Sequence, residues 1–278
     1  MLHNTVELRP DYSKAGISHS DSVARLTTYI IDHHNEFRGD KTRPMVLICP
    51  GGGYTHLSSR EAEPIALRMN AHGYNACILY YSLAPDKYPS QLIEAAMAVD
   101  YIKKHAEEWH VNTDKICICG FSAGAHVAGS LGTMWKDDII TKTLGQKSED
   151  YRPSCMLLAY PVITAGEFAH RGSFDALVGG DEKMYDTVSL EKRVNDDTVP
   201  TFIWHTFEDG AVPVENSLLM TGALRKYKIP CELHIFAKGC HGLALATEET
   251  ACLTGREIQP ECACWPELFA TWFDNMAI

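Results

Sequence analysis

The segment G-F-S-A-G-A-H-V-A-G, residues 120–129, is the part of the chain that decides the fold. It follows an apolar run of strand character, 115–120, and leads into a run of small residues, 123–131, that can form a helix packed close to a sheet. Glycine lies two residues before and two residues after Ser122, which permits a turn too tight for side chains. A strand, a sharp serine-bearing turn and a helix together form a nucleophile elbow, G-x-S-x-G. The same letters also describe a glycine-rich turn with a surface serine, so the context has to decide.

The elements around this segment predict a fold of the α/β class. Continuous apolar runs, typical of strands buried on both faces, alternate with amphipathic helices, which predicts a mostly parallel twisted sheet with helices on both faces. Buried strands are predicted at 45–50, 74–83, 115–120, 155–164, 200–209 and 231–239, and two earlier strands, 5–9 and 27–32, are predicted to lie antiparallel at a sheet edge.

Helices are predicted between these strands from their capping residues and apolar faces. Ser58 and Glu61 match the S-x-x-E capping box and predict a helix through Met69, and Ser90 is predicted to cap a long helix. Further helices are predicted at 123–131, 214–227 and 266–276. Ligands of such sheets bind at the carboxyl ends of the strands, so residues that directly follow strands are the candidates for chemistry.

Composition is that of a globular protein and excludes several classes of partner. The 278 residues are 45% hydrophobic and 22% charged, and no linker-like tract divides them, which predicts a single domain over 1–278. The net charge of −11 argues against nucleic acid and anionic membranes as partners. No apolar stretch of the sequence is long enough to form a transmembrane helix, and the first residues lack the apolar stretch of a secretory signal. Both observations predict a cytoplasmic location. The composition is compatible with a homo-oligomer.

Ten cysteines are many for a chain of this length, and their positions suggest packing rather than cross-linking. In apolar runs they behave as small buried hydrophobes, and so many thiols indicate a reducing compartment. Cys262 and Cys264 form a lone C-x-C without a partner pair at metal spacing, so no metal site and no cofactor are predicted. The cysteines predicted to be buried in strands are Cys49, Cys77, Cys117, Cys119, Cys155 and Cys231.

A serine hydroxyl needs a base, usually histidine, that is oriented by a carboxylate. After a nucleophile elbow the expected chain order is Ser, then Asp or Glu, then His. Glu208 and Asp209 end one predicted strand, and His241 follows the last one. His205 and His234 fall inside strands and are predicted to be core or wall residues rather than the base.

Backbone N–H groups for a developing oxyanion are predicted at two places. Ala123 directly follows the serine, and the run 51–53, G-G-G, follows a buried strand where only glycine lets the backbone approach closely. A glycine run can also form a flexible turn or a phosphate loop, but the Lys-Ser/Thr of a Walker motif is absent after it.

These residues resemble the α/β-hydrolases, specifically the carboxylesterase and acetyl-xylan-esterase-like branch related to hormone-sensitive lipase and dienelactone hydrolase. The matching pieces are P-G-G-G-Y (50–54), G-F-S-A-G-A-H-V-A (120–128), W-H-T-F-E-D-G-A-V-P-V-E-N-S (204–217) and F-A-K-G-C-H-G-L (236–243).

The resemblance implies a serine hydrolase whose substrate is a short-chain, chiefly acetyl, ester of a carbohydrate such as an acetylated xylo-oligosaccharide. It implies Ser122 as nucleophile, Asp209 as triad acid in a D-x-x-V-P context and His241 as base, with oxyanion N–H groups from Gly52, Gly53 and Ala123. Lipase-like relatives carry histidine before the glycines where this chain has Pro50, which puts an acyl preference inherited from that branch in doubt.

Two other functions stay open from the sequence. An amide-cleaving relative, such as a small peptidase or an arylformamidase, would use the same triad. A non-catalytic sugar-binding protein could keep an esterase-like shell, although an intact triad argues against this.

Pocket residues and a cap are expected near the strand ends. Tyr54, His56 and Tyr81 are predicted to line the substrate pocket. Residues 165–198 match no catalytic part and are predicted to form a small cap over the strand ends, or else a plain surface excursion.

Overall fold

A computed structural model describes residues 1–276 and places one eight-stranded sheet at the centre of this part of the chain. The strand order is β1-β2-β4-β3-β5-β6-β7-β8, with β1 and β2 antiparallel to their neighbours and every other pair parallel. The strands are β1 (Thr5–Leu8), β2 (Ala24–Tyr29), β3 (Arg43–Cys49), β4 (Asn75–Tyr80), β5 (Val111–Phe121), β6 (Cys155–Ala159), β7 (Thr201–Thr206) and β8 (Cys231–Phe236).

Helices cover both faces of the sheet and enclose a hydrophobic core on each. Along β3, Leu47 packs into the core on one face, whereas Val46 and Ile48 pack into the core on the opposite face. The α-helices are α1 (Asn35–Arg38), α2 (Glu63–Ala71), α3 (Ser90–Lys104), α4 (Ala123–Met134), α5 (Asp138–Leu144), α6 (Ser148–Tyr151), α7 (Arg171–Val178), α8 (Tyr185–Val188), α9 (Glu215–Lys226) and α10 (Trp265–Asn275).

This architecture confirms the predicted fold class, the parallel strands and the antiparallel edge. Some predicted strands extend too far where apolar residues continue past the sheet: β6 ends at Ala159 rather than at 164. Within residues 1–276, no helix combines the length and the apolar character that crossing a lipid bilayer requires.

Two predicted helix caps are wrong. Ser58 makes no side-chain cap, and α2 begins at Glu63. The capping box does not form because the Glu61 carboxylate accepts hydrogen bonds from Gly51 N–H and the Tyr160 hydroxyl instead. Ser90 is already the first helical residue of α3, with Pro89 in the cap position, so its hydroxyl cannot cap the helix.

The cysteine predictions hold for the strands inside the sheet. Cys49, Cys77, Cys117, Cys119 and Cys155 are buried. Cys231 is only half-buried, which corrects the prediction, because β8 is the edge strand of the sheet and lacks a neighbour on one side.

The carboxyl ends of the parallel strands meet at one edge of the sheet. β4 and β5 lie on opposite sides of β3, so the chain reverses its winding direction next to β3. The glycine loop 51–53 after β3 and Ser122 after β5 are therefore neighbours at a topological switch point, the usual place for a ligand in an open α/β sheet.

The segment 165–198 carries α7 and α8 and packs over the amino-terminal end of α4. Val188 O accepts a hydrogen bond from the buried His126 at 2.7 Å, and the ring of Phe174 packs edge-to-face on the same histidine. Its residues His170 and Gly172 border the cavity above Ser122.

Candidate active site

Ser122 lies between β5 and α4 in a strained backbone conformation, with φ 54° and ψ −119°. Strain of this kind costs about 1–3 kcal/mol and persists only where the surroundings enforce it. A Cβ on Gly120 would lie 2.2 Å from Gly124 O, and a Cβ on Gly124 would lie 2.0 Å from Cys49 O. Both glycines of the G-x-S-x-G pattern are therefore required sterically.

The three residues predicted as a triad lie in hydrogen-bond contact, although they are far apart in the sequence. The Ser122 hydroxyl and His241 Nε2 are 2.8 Å apart, and His241 Nδ1 and Asp209 Oδ2 are 2.7 Å apart. Because an ionised carboxylate only accepts hydrogen bonds, Nδ1 of His241 carries the proton and Nε2 is the acceptor for Ser122. This arrangement lets His241 remove the hydroxyl proton.

The Asp209 carboxylate is buried, and its two oxygens accept hydrogen bonds from four groups. Oδ1 accepts the backbone N–H groups of Ala211 and Val212, each at 2.9 Å, and Oδ2 accepts from His241 and, at 3.2 Å, from His205. Burial alone would raise the pKa of Asp209, but the hydrogen bonds from His205 and His241 outweigh it and hold this pKa well below its ordinary value. The carboxylate therefore stays ionised.

His205 is a second histidine on the same carboxylate, a role that the sequence reasoning missed. Its Nε2 lies 3.0 Å from Val212 O, an acceptor, so this nitrogen carries a proton that Asp209 Oδ2 shares. Its Nδ1 lies 2.8 Å from the Ser217 hydroxyl. The signal in the sequence was a histidine four residues before the acid, at the end of the same strand.

Three backbone N–H groups have no partner among the described residues: those of Gly52 and Gly53, which border the cavity together with Ser122, and that of Ala123, which directly follows Ser122. Gly52 and Gly53 have φ of 131° and 64°, and a Cβ on Gly52 would lie 2.1 Å from His56 O, so this loop requires glycine. Ala123 begins α4, whose first N–H groups have no partner within the helix. The loop and the helix end can thus donate to one negatively charged oxygen.

Tyr160 connects the glycine loop to the loop that carries His241. Its hydroxyl donates to Glu61 Oε1 at 2.7 Å and accepts the N–H of Ala244 at 3.0 Å, while Glu61 Oε2 accepts the N–H of Gly51 at 2.8 Å. The tyrosine ring packs edge-to-face on the imidazole of His241 at 5.1 Å. Burial raises the pKa of Tyr160, so it stays a neutral donor.

Ser122 opens into a cavity of about 470 Å³ that His56 also lines, and a role of His56 in substrate binding stays a prediction. Tyr54 and Tyr81 do not line it, which corrects that prediction. Both are buried behind the glycine loop, where the Tyr54 hydroxyl donates to His126 Nδ1 at 2.7 Å and the Tyr81 hydroxyl donates to Pro50 O at 2.6 Å. Their hydroxyl groups are thus hydrogen-bonded to other groups of the protein core rather than facing the cavity.

The BD-FAE family model matches residues 31–224, more than half of the chain. The chain belongs to the BD-FAE family. The solved structures that this chain resembles are α/β-hydrolases, and the chain has the α/β-hydrolase fold.

Among structures similar to this BD-FAE family member is the acetyl ester-xyloside bifunctional hydrolase from Caldicellulosiruptor lactoaceticus. It is 37% identical with a TM-score of 0.78, and the match covers 92% of this chain and 89% of that one. The carboxylesterase Cest-2923 from Lactobacillus plantarum WCFS1 is 28% identical with a TM-score of 0.83 over 99% and 97% of the two chains.

Curated relatives of this family member are longer proteins. Endo-1,4-beta-xylanase B of Butyrivibrio fibrisolvens is 40% identical over 82% of this chain and 36% of its own length. The acetylxylan esterase of Xylanibacter ruminicola is 27% identical over 71% of this chain and 40% of its own length. The chain thus spans less than half the length of these curated relatives.

The cavity of this BD-FAE family member has further polar residues that the sequence reasoning did not select: His170, Arg60 and Arg256. Burial lowers the pKa of His170, and the neighbouring His241 lowers it further, so His170 favours the neutral form. His170 Nδ1 lies 2.8 Å from the Ser173 hydroxyl. These residues come from loops whose approach to Ser122 only the folded chain defines.

Proposed function

We propose that the protein is a serine esterase that hydrolyses short-chain, chiefly acetyl, esters of a carbohydrate such as an acetylated xylo-oligosaccharide. The observation that carries the proposal is the chain of hydrogen bonds from the Ser122 hydroxyl through His241 to Asp209, at 2.8 and 2.7 Å. The Ser122 end of this chain of hydrogen bonds faces a cavity, and that cavity is bordered by backbone N–H groups that have no partner in residues 1–276.

In the proposed reaction, Ser122 Oγ attacks the acyl carbon while His241 Nε2 takes its proton. The oxyanion accepts hydrogen bonds from the N–H groups of Gly52, Gly53 and Ala123, and losing one such donor typically costs about 3 kcal/mol of transition-state stabilisation. The intermediate then collapses, and His241 gives its proton to the leaving alcohol.

Deacylation repeats these steps with water. His241 takes a proton from the water as its oxygen attacks the acyl-enzyme, and it returns that proton to Ser122 as the carboxylic acid departs. Asp209 keeps the imidazole in the tautomer that both half-reactions need.

Ester substrates are favoured over amides because similar proteins are named as esterases. These include the acetylxylan esterase of X. ruminicola and the C. lactoaceticus acetyl ester-xyloside hydrolase. The same names favour an acetyl group and a sugar. A purely sugar-binding role is disfavoured, because binding alone would not require the strained backbone at Ser122.

Two accessory features belong to the proposal. Residues 165–198 act as a small cap that limits substrate size, since His170 and Gly172 border the cavity. The protein works in a reducing compartment such as the cytoplasm, since its ten cysteines are free thiols.

The test is hydrolysis of p-nitrophenyl acetate, butyrate and octanoate by wild type, Ser122→Ala and the control Ser58→Ala. Ser58 also lines the cavity but has no histidine partner in the part of the chain that the structure describes. We expect acetate to react fastest, Ser122→Ala to be inactive and Ser58→Ala to stay close to wild type.

Acetate release from acetylated xylo-oligosaccharides is then measured. Residual turnover in Ser122→Ala would contradict the mechanism. Wild-type inactivity on all three esters, or faster cleavage of matched amides, would contradict the esterase assignment.

A further inference from the structure

We propose that the mouth of this cavity binds a carboxylate of the substrate between Arg60 and Arg256. The preferred ester would then carry a negative charge on its alcohol part, as a uronic-acid-containing sugar does. The charge belongs to the alcohol because an acetyl group has no carboxylate to offer. This inference rests on the proposed esterase function and specifies its substrate.

Both arginines lie on the cavity wall together with Ser122. The Arg60 guanidinium lies against Gly242, where a Cβ would be 3.4 Å from its Nη2. Because Gly242 directly follows His241, a carboxylate held by Arg60 would lie close to the ester that His241 helps to cleave.

A single buried carboxylate positions both guanidinium groups. Glu257 Oε1 lies 2.8 Å from Arg256 Nε and 3.5 Å from Arg60 Nη1. Burial alone would raise the pKa of Glu257, but hydrogen bonds from Cys252 and Arg256 lower it to about 2. Glu257 therefore stays ionised and holds the Arg256 guanidinium through Nε, which leaves the other nitrogens of Arg256 available as donors to a further anion.

Arg256 presents the part of its guanidinium that recognises carboxylates. It contacts Glu257 through Nε, and the side chain is 68% exposed, so its two terminal nitrogens face the solvent at the mouth of the cavity. A carboxylate can accept two parallel hydrogen bonds from such a pair of nitrogens.

Glu61 is the carboxylate on this wall that could repel an anion. It lies deeper, at 3% exposure, and its two oxygens already accept from Tyr160 and from Gly51 N–H. The negative charge is therefore at the floor of the cavity and the exposed positive charge at its mouth. A substrate with a neutral ester at the floor and a carboxylate at the mouth fits this polarity.

The experiment compares 3-acetoxybenzoate with 3-acetoxybenzamide, two acetyl esters of the same shape that differ in charge. The quantity measured is the ratio of their kcat/KM values for wild type, Arg256→Gln, Arg256→Lys and the control Arg9→Gln. Arg9 also binds a glutamate, Glu7, through Nε, but this pair is exposed and lies on and just after β1. Melting temperatures verify that each variant folds.

We expect wild type and Arg9→Gln to prefer the carboxylate ester. Arg256→Gln should lower the ratio roughly fivefold, the effect of one charge-assisted hydrogen bond in partly exposed surroundings, and Arg256→Lys should lie between. Raising the salt from about 50 to about 500 mM should lower the wild-type ratio and leave that of Arg256→Gln nearly constant. Equal ratios in wild type and Arg256→Gln would overturn the inference.

A binding measurement separates this inference from the proposed function. If wild type hydrolyses neither ester, the esterase proposal fails, and binding of both compounds to Ser122→Ala is measured by NMR titration. Tighter binding of the carboxylate that disappears in Ser122→Ala/Arg256→Gln would support the anion site. Equal binding of the two compounds would overturn it.

Discussion

Replacement of Asp209 by asparagine tests the proposed triad most directly, because the surroundings of Asp209 dictate how the amide must lie. Oδ1 accepts two backbone N–H groups, those of Ala211 and Val212. In the variant the amide oxygen has to remain at this position, since two donors cannot face an NH₂ group. The amide nitrogen then replaces Oδ2 and points at Nδ1 of His241.

This geometry forces the wrong tautomer on His241. With an N–H donor facing it, Nδ1 has to accept, and the imidazole proton moves to Nε2. That nitrogen can then no longer accept the proton of the Ser122 hydroxyl. The analogous change in a well-studied serine protease lowers kcat about 10⁴-fold, which corresponds to about 5 kcal/mol. We expect a loss of that order here, with KM changed little.

The assay is steady-state hydrolysis of p-nitrophenyl acetate, with Glu208→Gln as the matched control. Glu208 is the adjacent carboxylate in the sequence, but its side chain is exposed to solvent. Glu208→Gln should therefore keep wild-type kcat. If Asp209→Asn kept more than about 1% of kcat while folding normally, or if both variants lost activity equally, the reasoning about the tautomer would be refuted.

Three further changes test neighbouring hydrogen bonds. His205→Gln keeps an N–H group within reach of Asp209 and should retain most of the activity. The side chain of His205→Asn is shorter, and kcat should fall about tenfold, which corresponds to one lost hydrogen bond to a carboxylate. Equal kcat values in both variants would contradict this. Tyr160→Phe leaves Oε1 of the buried Glu61 without its donor and should lower the free energy of unfolding by about 1–3 kcal/mol in urea titrations. We expect kcat to fall more than KM rises. An unchanged free energy of unfolding would rule out this connection. Burial lowers the pKa of His126 from its ordinary value of 6.5 to about 4. Between these two pKa values the unfolded chain binds a proton at His126 that the folded chain does not bind. The free energy of unfolding therefore decreases as the pH falls from 6.5 towards 4. Between about pH 7.5 and about pH 5 this amounts to about 2 kcal/mol, which urea unfolding should detect in wild type and not in His126→Gln; the same pH dependence in both proteins would disprove it.

The sheet was predictable because its strands carry their burial in their composition. In β3, the side chains on both faces of the strand are apolar: Leu47 packs into one core and Val46 into the core on the opposite face. A continuous apolar run of this kind predicts a strand buried on both faces. The elbow was predictable for a similar reason. Its glycines avoid contacts of about 2 Å with the backbone, so the pattern in the sequence reflects the geometry directly.

The wrong predictions concern polar side chains with more than one partner available. Glu61 matches a capping box locally, but in the folded protein it accepts from Tyr160, a residue 99 positions away. Tyr54 follows a strand end as a pocket residue would, yet its hydroxyl is bonded to His126 inside the core. Local rules cannot weigh these distant partners.

The sequence by itself determined the fold class, the position of the elbow and the order in which serine, carboxylate and histidine follow their strands. These features depend on local backbone geometry and on apolar periodicity, which neighbouring residues define. Only the tertiary structure decided that His205 shares the Asp209 carboxylate and that Arg60 and Arg256 meet at the cavity mouth. Such contacts join loops that are far apart in the chain, and a hydrogen bond or an ion pair forms only where packing of the whole domain brings its two partners within about 3 Å.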